Sequence, residues 1–318
     1  MSGDETRTMA GRRRPRRLQQ GDRIALVAPA SPVQPDELVR GADELRTLGF
    51  EPVYDDRVLA RHGYVAGTPA VRAACLAEAW RDPSIRGIVA VRGGYGSQQL
   101  LPALDPRWIA ADPKVFIGYS DITALLTWHV AHGGVAFHGP MVEGRLARGI
   151  GGYDRASLMA AVTQPMPMGT LAPPGLDVFR PGDAQGVLLG GTITQLASLL
   201  GTPWAVVPKE PTILFLEDVG ERPYRLDRLM TQLYQAGMFA RVTGIVLGSF
   251  PRCDEGAGGP TARGVLRDLL ARFPGPVVFG FPAGHTEMPA WTIPFGVAAR
   301  LTAGPAGAGL SIEEAAVS

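Results

Sequence analysis

Three residue types able to share acyl-transfer chemistry stand where short apolar runs break off. Val115-Phe116-Ile117-Gly118-Tyr119 runs through a glycine into Ser120 and then, from Asp121-Ile122, directly into a helix pattern. A serine at such a strand-to-helix turn projects its hydroxyl clear of a sheet, and the first free amides of the helix point at any negative charge formed beside it. Gly118-Tyr119-Ser120 matches the first half of a G-x-S-x-G elbow, but Ile122 stands where the last glycine belongs, so an ordinary serine N-cap remains the plain alternative. Thr212-Ile213-Leu214-Phe215-Leu216 ends abruptly in Glu217-Asp218, and the run from Val277 to Gly284 delivers His285 in the same manner. Serine is a weak nucleophile at neutral pH. It needs an imidazole to take its proton, and the imidazole needs a carboxylate to fix its tautomer.

An oxyanion would require two amide donors. The N–H of Asp121 is one candidate. The second is expected from Gly93 or Gly94 in Arg92-Gly93-Gly94-Tyr95-Gly96, where glycine lets the main chain come close to a ligand, although a tight turn after a strand reads equally well. This loop lacks the G-x-G-x-x-G spacing of a dinucleotide fingerprint.

The elements that must position these groups alternate. Ile24 to Ala28, Ile88 to Val91 and Val115 to Tyr119 read as strands. Glu37 to Leu48, a helix opened by Thr68-Pro69, and Ile122 to Ala131 read as helices. Such alternation predicts a parallel sheet covered on both faces, flavodoxin-like, with ligands beyond the carboxyl ends of the strands. Residues 21–163 are expected to form this nucleophile domain. Residues 164–185, rich in proline and glycine without periodicity, read as a linker. Residues 186–318 read as a second domain mixing strands and helices and carrying Glu217 and His285, so the three groups would meet only across the interface. Substrate is then expected to close the domains and protect the linker from proteolysis.

The bulk numbers exclude several classes. The chain has 318 residues, 46% of them apolar, and a net charge of +1. That supports two globular cores and supplies no basic field for nucleic acid. No stretch reads as a membrane span or a signal peptide. Cys75 and Cys253 lack metal-ligand or disulfide spacing, and His62 beside Asp55 and Asp56 is a poor metal site. Residues 1–20, with Arg12, Arg13, Arg14, Arg16 and Arg17, read as a disordered tail, or as an over-long start with Met9 the real initiator. His129 and His132, at a helix end, suit the imidazolium form, and His138 reads as structural.

The motifs in their order carry a resemblance. They are Gly21-Asp22-Arg23-Ile24-Ala25-Leu26-Val27-Ala28-Pro29-Ala30-Ser31, Arg92-Gly93-Gly94-Tyr95-Gly96, Gly118-Tyr119-Ser120-Asp121, His138-Gly139-Pro140-Met141, Gly190-Gly191-Thr192, Leu216-Glu217-Asp218, the helix from Pro223 to Leu233, Gly284-His285 and Ile293-Pro294-Phe295-Gly296. Together they span nearly the whole chain, which resembles the LD-carboxypeptidases of the muramoyl-tetrapeptide type. The resemblance implies Ser120 as nucleophile, His285 as general base and Glu217 as its orienting acid, with no metal or cofactor. It further implies a smaller, mixed α/β C-terminal domain of swivelling β/β/α type, a cytoplasmic homodimer, and a muropeptide substrate that loses a terminal D-alanine.

An exopeptidase must hold the free carboxylate of its substrate, for which Arg92 and then Arg222 are the candidates. Tyr95 lies in the same loop as Arg92. Glu287 could meet the ammonium of a diamino acid, or be a solvated loop charge. Arg225, Asp227 and Arg228 are expected to pack and pair across the domain interface. Two other readings stand beside the first. One is an amidase acting on a peptidyl-nucleotide antibiotic of the microcin C type, for which Trp291 offers a stacking surface if it lines the cleft. The other is a non-catalytic binding module on the same fold.

Overall fold

The computed structural model of the chain describes residues 8, 11–305 and 307–318. In the first half, strands β1 (Arg23–Val27), β2 (Glu51–Val53), β3 (Ile85–Ala90), β4 (Val115–Gly118) and β5 (Ala136–His138) alternate with helices α1 (Pro35–Thr47), α2 (Pro69–Arg81), α3 (Arg107–Ala111) and α4 (Thr123–Ala131). The local chemistry is as read: Thr68 accepts from the Val71 N–H with Pro69 in the first turn of α2, and α1 buries Leu38, Gly41, Ala42 and Leu45. β1 to β5 are parallel, in the order β5-β4-β3-β1-β2, which is the flavodoxin-like arrangement. The loop after β3, the turn after β4 and His138 therefore share one end of this sheet.

Helix α5 (Arg155–Thr163) leads to the second sheet, made of β6 (Gly169–Leu171), β7 (Asp177–Arg180), β8 (Gly182–Thr192), β9 (Thr212–Glu217), β10 (Val242–Leu247), β11 (Val277–Phe279), and, beyond β12 (Ile293–Phe295), β13 (Ala298–Gly304) and β14 (Gly307–Ile312). The order is β6-β14-β13-β8-β9-β10-β11-β7. Helices α6 (Ile193–Ser198), α7 (Pro223–Gln235) and α8 (Ala262–Leu270) cover one face over a core of their own.

Three expectations are corrected. The stretch 164–185 is not a free linker, because it contains β6, β7 and the start of β8. Those first two strands are the outer edges of the second sheet, where neighbouring prolines cost no ladder hydrogen bond, so composition disguised them. The Arg-rich segment from Gly11 to Gln20 packs on the body. Leu18 is buried, Arg12 pairs with Glu210, the Arg13 N–H donates to the Gly133 carbonyl, and the Arg17 N–H donates to that of Ser318. Its anchors are isolated apolar side chains, ion pairs and main-chain hydrogen bonds, which leave no periodicity to read. Most of the rest of the expected tail, including Met9, lies outside the described residues. Third, residues 186–318 do not keep to one body, since β12 pairs antiparallel with β5 and completes the first sheet.

One continuous core joins the sheets: Phe215, Phe281 and Phe295 belong to the same buried cluster as the side chains of β3 and β4, and Phe215 and Phe295 pack on His138 of β5. Ile293 and Phe295 of β12 are fully buried, each contributing about 1.5–3 kcal/mol of hydrophobic stabilisation. Helix α4 is buried on every side from Thr123 to Val130, because the second sheet covers the face a peripheral helix would show to water. A hinge through residues 164–185 is not the architecture found. No helix among the described residues is long and apolar enough to cross a membrane.

Candidate active site

β4 stops at Gly118, Tyr119 is extended, and Ser120 then takes φ 62°, a left-handed conformation that costs a non-glycine residue about 1–3 kcal/mol. One 3-10 turn, Ser120–Ile122, carries the chain into α4. The neighbours make the strained turn possible. A Cβ on Gly118 would lie 2.7 Å from Cγ2 of Ile122, and one on Gly93 would lie 2.8 Å from Cβ of Ser120 and 3.3 Å from the Asp121 nitrogen. The glycine loop after β3 thus closes onto the serine and its following amide. Gly94 has φ 92° and leaves no room for a side chain beside Ser31, whose Oγ accepts from the Tyr95 N–H at 3.1 Å and donates to the Tyr64 carbonyl at 2.9 Å. Buried Arg72 donates to the carbonyls of Gly96 and Pro29, both at 2.7 Å, and holds the loop from behind. Asp121 is itself buried, its carboxylate accepting from the Ser97 N–H at 2.7 Å.

The carboxylate and the imidazole meet as expected. Glu217, fully buried at the end of β9, accepts from His285 Nδ1 at 2.7 Å and from the His285 main-chain N–H at 2.8 Å, both on Oε2. Its Oε1 accepts from the Thr192 hydroxyl, and the Thr192 N–H donates to Oγ1 of Thr123 in the first turn of α4 at 3.1 Å. A chain of hydrogen bonds therefore runs from the helix behind Ser120 to His285. The Tyr119 ring, one residue before Ser120, stands edge-on to the imidazole with centroids 5.1 Å apart.

The electrostatics follow from this packing. Burial alone would raise the Glu217 carboxyl, but the charge and hydrogen bond of His285 outweigh it and hold the group down at about 2. Burial works against the His285 cation, yet Glu217, by charge and by hydrogen bond, raises its pKa above the ordinary value. Burial, then the Glu217 charge, pushes Asp218 up to about 6, while its carboxylate accepts from the Thr194 N–H at 2.9 Å in the first turn of α6. An imidazole whose Nδ1 is committed to a buried carboxylate keeps Nε2 for proton transfer. Such a group can take a proton from a hydroxyl and return it to a leaving amine.

The remaining candidates divide. Arg92 is half-buried, donating to the Pro32 carbonyl at 2.9 Å and pairing with Glu143 at 3.1 Å, while Tyr95 is exposed and edge-on to exposed Tyr64. Arg222 is the exposed N-cap residue of α7, and Glu287 is exposed beside His285. Trp291 is partly buried against the core and edge-on to Phe281, which removes it as an open stacking platform. Arg225 pairs with Glu221 and Arg228 lies over the Tyr224 ring, so the exposed face of α7 pairs within itself and not across the interface. His129 is fully buried and pushed down to about 3, hence neutral and not the imidazolium its helix position implied. His138 is equally buried, lowered to about 4 by burial, and packs on Phe215 and Phe295. Among the described residues no cluster of three or more His, Cys, Asp or Glu could hold a metal ion. Sequence reasoning missed Thr192, Arg72 and Arg145, whose roles lie in contacts remote along the chain. Only Thr192, next to Gly190-Gly191, sat in a noted motif.

Comparison with known proteins finds relatives of both halves of the chain. A family model described as the LD-carboxypeptidase N-terminal domain matches residues 24–139, and its C-terminal counterpart matches residues 185–301. A Streptomyces coelicolor protein named as a carboxypeptidase is 42% identical over 299 residues, 91% of this chain and 93% of its own. The crystal structure of a muramoyltetrapeptide carboxypeptidase from Oxalobacter formigenes superposes with a TM-score of 0.81 at 31% identity, covering 92% of this chain and 99% of that one. The structure of the microcin C7 self-immunity protein MccF in complex with glutamyl sulfamoyl guanosine gives 0.87 at 26% identity, over 96% and 99%. With both halves matched and the fold shared, the chain belongs to the LD-carboxypeptidase family and is a serine-type carboxypeptidase.

Proposed function

We propose that the chain removes the terminal D-alanine from murein tetrapeptides, with Ser120 as nucleophile, His285 as general base and Glu217 as the carboxylate that orients it. The observation that carries this reading is the Glu217 carboxylate, fully buried and bonded twice to His285, whose ring stands edge-on to Tyr119, the residue before a serine held at positive φ. His285 Nε2 takes the Ser120 proton as Oγ attacks the carbonyl of the L,D-amide. The oxyanion that forms is met by the N–H of Asp121 and one from Gly93 or Gly94. The imidazolium, stabilised by Glu217, then protonates the departing amine of D-alanine. Water repeats the sequence on the acyl-enzyme. Arg92 reads the free carboxylate, because its pairing with Glu143 fixes the guanidinium while leaving part of it exposed. Arg222 is the second choice, and Tyr95 and Glu287 complete the rim. The chain works in the cytoplasm, as a homodimer, in recycling of cell-wall fragments. The half from residue 21 to 163 supplies the nucleophile, and the second sheet, which starts at β6, supplies Glu217 and lies on the half that carries His285.

The name of the Oxalobacter structure supports the tetrapeptide. The second reading, a peptidyl-nucleotide amidase, is favoured by the fold likeness to MccF. The partial burial of Trp291 against the core weakens it, since that ring was the proposed base-stacking surface. Mass spectrometry of a muramyl-tetrapeptide incubated with the protein and with Ser120→Ala separates them. Loss of one D-alanine with the unaltered chain alone is the expected result. Loss with neither, and cleavage of an aminoacyl sulfamoyl adenosine-type amide, would transfer the assignment to the second reading.

A further inference from the structure

Among the described residues, Arg145 is the buried arginine whose partners belong to both sides of the reaction. It follows β5 in the first half of the chain, opens the 3-10 turn Leu146–Gly151, and is 6% exposed. Its Nη2 donates to the carbonyl of Gly284 at 2.8 Å and to that of Thr286 at 2.9 Å, the carbonyls immediately before and after His285. Nη1 donates to Gly152 at 3.0 Å and to Met288 at 3.4 Å, and Nε to the Tyr119 hydroxyl at 3.4 Å. The guanidinium also lies over the Tyr119 ring, 5.7 Å from its centroid.

A guanidinium has five N–H donors in a rigid fork. All five have acceptors here, so none is left for a substrate carboxylate, and the side chain is not the anion reader its charge would advertise. What it does hold is the peptide on either side of the imidazole and, through Tyr119, the residue beside the serine. We propose that Arg145 is a positioning residue that fixes His285 relative to Ser120 by clamping the 284–288 loop to the turn after β4. The inference rests on the assignment of His285 as base.

Two consequences follow from separate physical causes. Release of the clamp misplaces the imidazole, and a displacement near 1 Å costs about 10²-fold in turnover. The other is electrostatic. The charged and titratable groups facing His285 are Glu217, Asp218, His138, Tyr119 and Arg145. Against burial, the two carboxylates favour the imidazolium, and the Arg145 cation opposes it.

The test compares Arg145→Lys with Arg145→Gln. Lysine keeps the charge but brings three donors on a flexible stem. Arg145→Lys is expected to lose about 10–100-fold in kcat with KM nearly unchanged and the acid limb of the pH profile unmoved. Arg145→Gln is expected to lose at least as much and to move that limb to higher pH. Guanidinium ion added to Arg145→Ala is expected to restore turnover better than methylammonium. The His285 imidazole, followed by NMR titration in the Ser120→Ala background, reads the same shift without turnover. An unchanged kcat in Arg145→Lys, or a loss confined to KM, overturns the proposal, as does an unmoved His285 midpoint in a folded Arg145→Gln. If Arg145→Gln does not fold, the kcat and KM of Arg145→Lys decide. Failure of the parent reading looks different, because Ser120→Ala would then keep turnover whatever Arg145 does.

Discussion

The turns that end β4 and β9 deliver reacting groups by different means. At the end of β4 the position of Ser120 is set chiefly by backbone shape: the residue takes a positive φ against the close approach of Gly93, Gly118 makes room for Ile122, and the buried Asp121 carboxylate accepts from Ser97. At the end of β9 nothing is strained. Glu217 is held by burial and by donors from Thr192 and His285, and its charge sets the imidazole in turn. The first arrangement depends chiefly on volume. The second depends on protonation and tolerates no lost donor.

Substitutions can break the contrast or sharpen it. Ser120→Ala is expected to lower kcat by about 10⁴-fold or more, since no other hydroxyl can replace it. Glu217→Gln should come next, at about 10³–10⁴-fold, because an amide presents a donor to a site built of donors and disfavours the working tautomer. Gly93→Ala tests the steric end. It should cost about 10²-fold in kcat by pushing Ser120 aside, with the shape of the pH profile retained. A displaced acid limb in that variant would show the two ends to be coupled. Thr192→Val removes one donor to a buried carboxylate and should destabilise the protein by about 1–3 kcal/mol, visible in denaturant midpoints, with a modest fall in turnover. Glu287→Gln, on the exposed rim, should stay within about twofold, and a tenfold rise in KM would place it on the substrate.

Stability and activity should run in opposite directions with pH. The raised pKa of His285 stabilises the fold below the unfolded value of 6.5, and this contribution is lost as pH rises through the higher folded value. The depressed pKa of Glu217 contributes above 4.5 and is lost as pH falls toward about 2. The pair therefore supports the fold most between those limits, whereas turnover needs the neutral imidazole and climbs above them. Parallel thermal midpoints and kcat/KM between pH 5 and 8 check this, and Glu217→Gln should flatten both trends.

Much of this was legible in the sequence because it was local. The alternation of apolar runs with capped helices identified the first sheet, and the abrupt run ends brought Ser120, Glu217 and His285 forward as candidates whose roles the family resemblance supplied. Several of the failures share one cause. Arg145 acts on carbonyls 139 and 141 residues away. Thr192 lies 69 residues from Thr123, and β12 pairs with a strand more than 150 residues earlier. No spacing rule reports such distances. The edge strands β6 and β7 were lost for the opposite reason, since the prolines around them imitate a linker.

The return of β12 to the first sheet also governs the order in which the protein can be made. Until residues 293–295 leave the ribosome, β5 is an edge strand with an unfilled ladder on one side and an apolar gap where Ile293 and Phe295 will sit. The amino-terminal half must therefore wait for a segment more than 150 residues further along the chain. Truncation before Thr292 should yield a sticky fragment, not a smaller enzyme.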